Sequence, residues 1–399
     1  MIKIPTRFSS EFIEEYFNIV SDIVFTNKIV NYEKKIEEDG EPEKSDEYNN
    51  FTLYLSKNFH KIIYSEFNEL LNIQIEIDQQ FPIISECYNP KAFFKEQLLN
   101  EINSIAAITE IPLRGTRNTA EIISQKDSAL NEAIALNIHL RSYFLEKYIN
   151  ELSNANDSES IKQSCKKISN LFKKGAIDSD KIPKWVAKLQ DLIPYDAISS
   201  QTLCKIGDEL ALDFCPMCNE SHVGNIVDDN RVYRQALDHF LPKSKYPIFS
   251  LSLYNLIPCC NTCNSLFKRN KDTLYPPHAN PYIKGSDDYD IFDIEKLATA
   301  MLYNKISGSR VKFISTETEI DNNIRLFKLA GVYNKKATKA EIIRFISLSN
   351  RYYTEWRQCM NQDIFLTEIL DYDHSKLPFT IKYGKFKKDL LKFMENAHR

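Results

Sequence analysis

One stretch of this chain crowds together residues that an ordinary core segment does not need. "ALDHFLPKSKYPIFSLSLYNLIPCCNTCNSLFK", from Ala236 to Lys268, sets Asp238 beside His239, then offers Asn255 and, directly after Cys263, Asn264. Upstream lies Cys215-Pro-Met-Cys218, and Cys260-Asn-Thr-Cys263 closes the stretch. Each Cys-x-x-Cys turn can aim two sulfurs at one ion, and four thiolates complete a tetrahedral structural zinc site. A redox-active pair is the competing reading, but two pairs flanking one motif fit a metal better. Zinc would pin the ends of the intervening segment together, which suits a unit with little core of its own. Cys259 is the spare thiol. Cys87, Cys165, Cys204 and Cys359 are scattered singly and read as small buried apolar residues.

Between the two turns, "RQALDHFLP" reads as a strand that stops at Pro242, and "YNLIP" as a second strand ended by Pro258. "NTCNSLFKRNK" reads as a helix with Asn261 as its cap. That order places Asp238 and His239 at the end of the first strand, with Asn264 on the facing helix. The chemistry that fits is phosphodiester hydrolysis by water. His239 can act as general base, because a neutral imidazole is available near pH 7. Asp238 offers a hard carboxylate oxygen, and Asn264 an amide oxygen, for Mg²⁺ or Mn²⁺. Asn255 can bond across the loop or orient His239. Five basic residues and no acid lie between Lys243 and Lys271; of these, Lys243, Lys245, Lys268 and Arg269 are expected to contact phosphates.

"CPMC", "LDHFLPKSKYP" and "YNLIPCCNTCNSLFK" together resemble the HNH, or ββα-metal, endonucleases. The resemblance covers residues 213 to 272 only. It implies that His239 is the general base, that Asp238 and Asn264 hold the catalytic metal, and that Asn255 is structural. The last position of the motif is Asn264 rather than histidine, an HNN-type variant with a four-cysteine zinc site. The implied activity is metal-dependent cleavage of DNA, with RNA left open as a substrate. HNH units joined to large helical parts resemble restriction and anti-phage effectors, in which a partner, often an ATPase, controls the cut. A catalytically silent zinc-containing nucleic-acid-binding or scaffold subunit of a multi-protein complex is the alternative.

The elements that would hold this unit are helical. Residues 10 to 30 show Phe12, Tyr16, Ile19, Val20, Ile23 and Val24 at helical spacing, with Ser9 or Ser10 as cap. A long helix is expected from Lys126 to Leu152, a further one from Glu159 to Lys174 stopped by Gly175, and another after Pro183 carrying Trp185, Leu189 and Leu192. The acidic run from Glu33 to Glu47 reads as a solvated loop, "PLRGTRN" (residues 112 to 118) as a turn, and His139 as a packing residue. "YPPHANPYI" reads as a rigid loop, with His278 and Asn280 as possible neighbours of the cleft. Two helices joined near Gly331 to Thr338 follow, and the basic tail from Ile381 is expected to present a solvated lysine face. The expectation is therefore a mostly α chain with a small zinc-stapled ββα-metal unit in its middle: 1–203 helical and concerned with partners or regulation, 204–285 the nuclease unit, 286–399 helical again.

With 399 residues and a net charge of −4, the chain is not a general nucleic-acid coat. No long apolar run suggests a membrane span, and the first residues show no secretory signal, so a cytoplasmic site with reduced thiols is expected.

Overall fold

Helices carry most of the described residues, and among these the four short strands lie between residues 226 and 259. The computed structural model describes residues 1–4, 7–39, 46–98, 105–111, 119–228, 231–302 and 309–397. The segment "PLRGTRN" lies outside the described residues.

The first helix, Ser10–Ser21, starts where Ser9 accepts a hydrogen bond from the Phe12 amide, and it buries Phe12, Tyr16 and Val20. It widens into a π-helical segment, Asp22–Ile29, and runs on as Val30–Asp39. The acidic run is therefore helical as far as Asp39 rather than a loop. Its cause is Ile36, which lies four residues after Tyr32 and is buried with it, so one apolar face carries the helix past the charges. Asp46 and Glu47 then open the next helix, Asp46–Tyr64, where acids favour the N-terminal end of the helix dipole.

The long helix expected up to Leu152 is two helices, Thr119–Leu140 and Tyr143–Asn154. The break has a tertiary cause. The buried Glu86 carboxylate accepts the Tyr143 and Phe144 amides at 2.9 and 3.1 Å and the Ser142 hydroxyl at 2.5 Å, while Arg141 takes a left-handed φ of 51°. Ile134 and Ile138 are exposed, and so is His139, expected to pack. Helix Ser158–Lys174 ends on Gly175 at φ 61°, as its sequence indicates. The segment after Pro183 forms two single turns, Lys184–Ala187 and Leu189–Leu192, that bury Trp185, Leu189 and Leu192.

Two apolar cores result. The smaller is built from Phe93 to Phe172 alone. The larger takes residues from all three expected spans, from Phe12 and Trp185 through Leu237 and Phe249 to Phe386 and Met394. After residue 309 the described helices include Thr318–Leu326, Leu329–Tyr333 and Lys336–Arg351, so Gly331 lies inside a helix and the joint is only Asn334–Lys335. The last helix, Gly384–Ala397, docks on the body through Phe386, Leu390, Leu391 and Met394. Its lysine face is not fully solvated. Lys385 is buried against Asp389 at 2.7 Å, and Lys387 donates to the Asp371 carbonyl at 3.0 Å. Among the described residues no helix is long and apolar enough to cross a membrane.

Strands β1 (Ile226–Asp228) and β2 (Arg231–Tyr233) form one antiparallel pair. Strands β3 (Ala236–His239) and β4 (Leu256–Cys259) form another, with Asp238 opposite Ile257 and His239 opposite Leu256. The segment Thr262–Lys268 follows β4 directly as a π-type turn of helix. Asn261 does not cap it: its backbone is already helical and its side chain accepts instead from the Ser265 hydroxyl at 2.9 Å.

Candidate functional site

Cys215, Cys218, Cys260 and Cys263 are all buried, and their sulfurs lie within 4.8 Å of one another. All four are free thiols, and Cys218 and Cys260 stand 3.9 Å apart. Two sulfurs on a tetrahedral zinc with bonds near 2.3 Å would be separated by roughly 3.8 Å. Donor type, number and spacing thus fit one zinc-type ion. The first Cys-x-x-Cys turn is locked from outside. The Asn219 side chain donates to the Pro378 and Ile381 carbonyls at 2.9 and 3.0 Å, and the Ile2 amide donates to the Pro216 carbonyl at 2.7 Å. The backbone around this cluster is therefore fixed by both the first residues and the last helical region. Cys259 is buried outside the cluster, and burial raises its thiol well above the ordinary range.

Strand β3 delivers the two residues singled out for chemistry. The His239 Nε2 lies 2.9 Å from the Ser250 carbonyl oxygen. A carbonyl can only accept, so Nε2 carries the hydrogen and Nδ1 is left as the basic nitrogen. Tyr195 meets the imidazole edge-on, with ring centres 4.5 Å apart. Burial, reinforced by the Lys268 and Lys243 charges, pulls the imidazole down to about 3, so it is neutral across the physiological range.

Asp238 is almost wholly buried. Its Oδ1 pairs with the Lys268 ammonium at 3.0 Å, and its Oδ2 has no hydrogen-bond partner among the described residues. Burial raises this carboxyl above its usual range, against the pull of Lys268. Lys268 also donates to the His239 carbonyl at 2.5 Å. Expected as a phosphate contact, Lys268 is instead among the most buried side chains of the molecule. The reason is geometric: one short helix after β4 turns Lys268 back under β3, where the Asp238 charge needs a counter-ion.

Asn255 is placed as a brace, not in the cleft. Its side chain donates to the Leu241 and Phe249 carbonyls at 3.1 and 2.9 Å and accepts the Leu241 amide at 2.7 Å. It thereby holds the loop that presents the Ser250 carbonyl, so its hold on His239 is indirect. Asn264 does line the cleft that Asp238 and His239 line, a cavity of about 530 Å³.

Of the other expected cations, Lys243 and Arg269 line this cleft. Lys243 also pairs with Asp196 at 3.0 Å. Lys245 points elsewhere: it lies 3.6 Å from Asp272 and lines a neighbouring cavity together with His278. Asn280 is buried, and its Oδ1 accepts the Tyr282 amide at 2.9 Å. Tyr195 and Arg234 are cleft residues that the sequence reading did not single out. Arg234 was within reach of it, since alternation along an extended chain sets positions 234, 236 and 238 on one face. Tyr195 comes from the helical region and carries no local signal. Comparison with protein-family models, curated proteins and solved structures returns no match for this chain.

Proposed function

We propose that the chain is a metal-dependent endonuclease that hydrolyses phosphodiester bonds of DNA. The observation that carries this reading is the convergence of His239, Asp238 and Asn264 with Arg234, Lys243 and Arg269 on one open cleft. A base, two oxygen donors and three cations are the parts that water attack on a phosphodiester requires. In this reading His239, with Nε2 held by the Ser250 carbonyl, takes the proton of the attacking water at Nδ1. The bound phosphate brings negative charge beside the imidazole and raises its proton affinity from its low resting value. Arg234, Lys243 and Arg269 orient the backbone of the substrate. A divalent ion such as Mg²⁺ or Mn²⁺, held by Asp238 and Asn264, would supply charge stabilisation at the scissile phosphate. The four cysteines would hold a structural zinc. The trigger would come from a partner, an ATPase or other subunit of an anti-phage or restriction-type system; the net charge of −4 argues against indiscriminate coating of nucleic acid and agrees with control by a partner.

The decisive experiment is plasmid cleavage with added Mg²⁺ or Mn²⁺, alone and with proteins co-purified from the native host. The His239→Ala protein should stay folded, keep its zinc and bind DNA, yet cleave about 10²–10⁴-fold more slowly. EDTA should stop the reaction and a divalent ion restore it. Cutting by His239→Ala at the wild-type rate sinks the proposal. One observation favours a second reading, a silent zinc-containing DNA-binding scaffold: the Asp238 carboxylate is already neutralised by Lys268. That reading requires the wild-type protein with its partners to bind DNA and cut none.

A further inference from the structure

Beside the cleft lies a larger cavity, of about 960 Å³, and Asn270 lines both. All three parts of the chain contribute walls to it. Lys91 comes from the helix Pro90–Leu98, Lys245, Lys271 and Tyr275 from the segment around the cysteines, and Arg325 from the helix Thr318–Leu326. Four cations thus surround one volume. The carboxylate on its wall, Asp272, is engaged by the Asn89 amide at 2.7 Å and the Tyr246 hydroxyl at 3.1 Å, with Lys245 at 3.6 Å. Arg325 pairs with Asp321 at 2.7 Å, but that pair is on the surface and open to exchange for another anion. The aromatic surface is present as well: Tyr275 is 45% exposed, and Pro276 and Leu326 stand with it on the wall.

Cations around an exposed aromatic ring are the elements by which proteins hold single-stranded nucleic acid, the cations tracking phosphates and the ring stacking a base. We infer that this cavity is a second nucleic-acid subsite, which seats the strand flanking the bond placed at His239. The assignment of that flank rests on the endonuclease reading, while occupancy by nucleic acid does not. The adjacency of the two cavities at Asn270 favours a strand over a free nucleotide, because a strand leaving the first cleft has only to pass Asn270 to reach the second. The helical region before residue 99 then has a direct role in substrate binding, through Lys91.

The test uses the full chain in EDTA, so that no cleavage occurs, with a labelled DNA single strand of about 20 nucleotides, long enough to span both cavities. Anisotropy is followed against salt. The Lys271→Glu, Arg325→Glu double variant should bind more weakly and lose roughly 1.4 from the slope of log affinity against log salt. Tyr275→Ala should weaken binding about tenfold, and Lys91→Glu should flatten the salt slope from a separate helix, which a local folding defect near Lys271 would not explain. Wild-type affinity and slope in both charge-reversed proteins overturn the inference, as does failure of the wild-type protein to bind the strand. Absence of cleavage under Mg²⁺, with binding and its losses intact, counts against the endonuclease reading alone.

Discussion

Two interiors lie side by side in this molecule and are built on opposite terms. The core from Phe93 to Phe172 is apolar, supplied by helices that pack on one another, and its main ionisable intruder is Glu86 at the edge. The region from Cys215 to Tyr282 buries Asp238, Lys268, Asn255, Thr273, Asn280 and five thiols. The first interior follows from hydrophobic periodicity, which buries apolar surface without needing exact partners. The second matches most of its buried polar groups to partners, the Asp238 Oδ2 being an exception, because an unpaired one costs more than the bond returns. Short strands and one helical turn cannot do that unaided. The ties from Asn219 to the last helical region supply part of the missing rigidity, and a metal held by the four cysteines would supply the rest.

If that contrast is right, damage to the clamp should have the largest effect. Cys215→Ser removes one donor of four, and structural zinc sites contribute about 10–16 kcal/mol in isolated zinc-finger peptides. Wild-type protein should carry about one zinc per chain by elemental analysis. Cys215→Ser should lose it and unfold the middle region, while hydrogen exchange in the core from Phe93 to Phe172 stays slow. Cys259→Ser should keep the zinc. A fully folded wild-type protein without zinc breaks the comparison at its root.

The buried pair comes next. Lys268→Met leaves the Asp238 carboxylate uncompensated and should destabilise the protein by about 3–5 kcal/mol, read from denaturant midpoints. Changing both at once, Asp238→Leu with Lys268→Met, should recover much of that loss. Equal losses in the single and double variants would mean that packing, not charge, is what Lys268 supplies.

How much of this was legible depends on distance along the chain. The meeting of the cysteines was, because each Cys-x-x-Cys turn is local and only their union is not. The strand carrying Asp238 was legible, although it ends at His239, short of Pro242; the second was legible only in part, since it runs Leu256–Cys259 straight through Pro258, and Asn255 precedes it in a tight turn. Tyr195 was not, since nothing in residues 190–200 marks a contact with His239. Lys268 misled, because a lysine before an arginine reads as a surface patch and its burial is decided by a carboxylate on another strand. The break at Arg141 was hidden for the same reason: helical spacing runs unbroken through it, and the residue that breaks it, Glu86, belongs to another helix. Local pattern records propensity, and tertiary partners overrule it where a buried charge must be satisfied.

Glu86 also gives the smallest and most selective test. Burial lifts its carboxyl from an ordinary 4.5 to about 7, despite three hydrogen bonds that favour the anion. Between those two values the folded chain binds a proton that the unfolded chain has released. Stability from this group is therefore fully present below pH 4.5 and is lost as pH rises through 7. The expected loss is about 1–3 kcal/mol, since each tenfold change in proton affinity is worth about 1.36 kcal/mol and partial opening of the site reduces the total. Glu86→Gln mimics the protonated acid and should remove this part of the pH dependence. The effect should appear in the Phe93–Phe172 core and leave the region of the four cysteines unmoved. Denaturant unfolding of both proteins at pH 5 and pH 8, read by hydrogen exchange in each core, makes the comparison. If the wild-type and Glu86→Gln proteins change stability equally between the two pH values, the buried carboxyl is not what sets the difference between the two interiors.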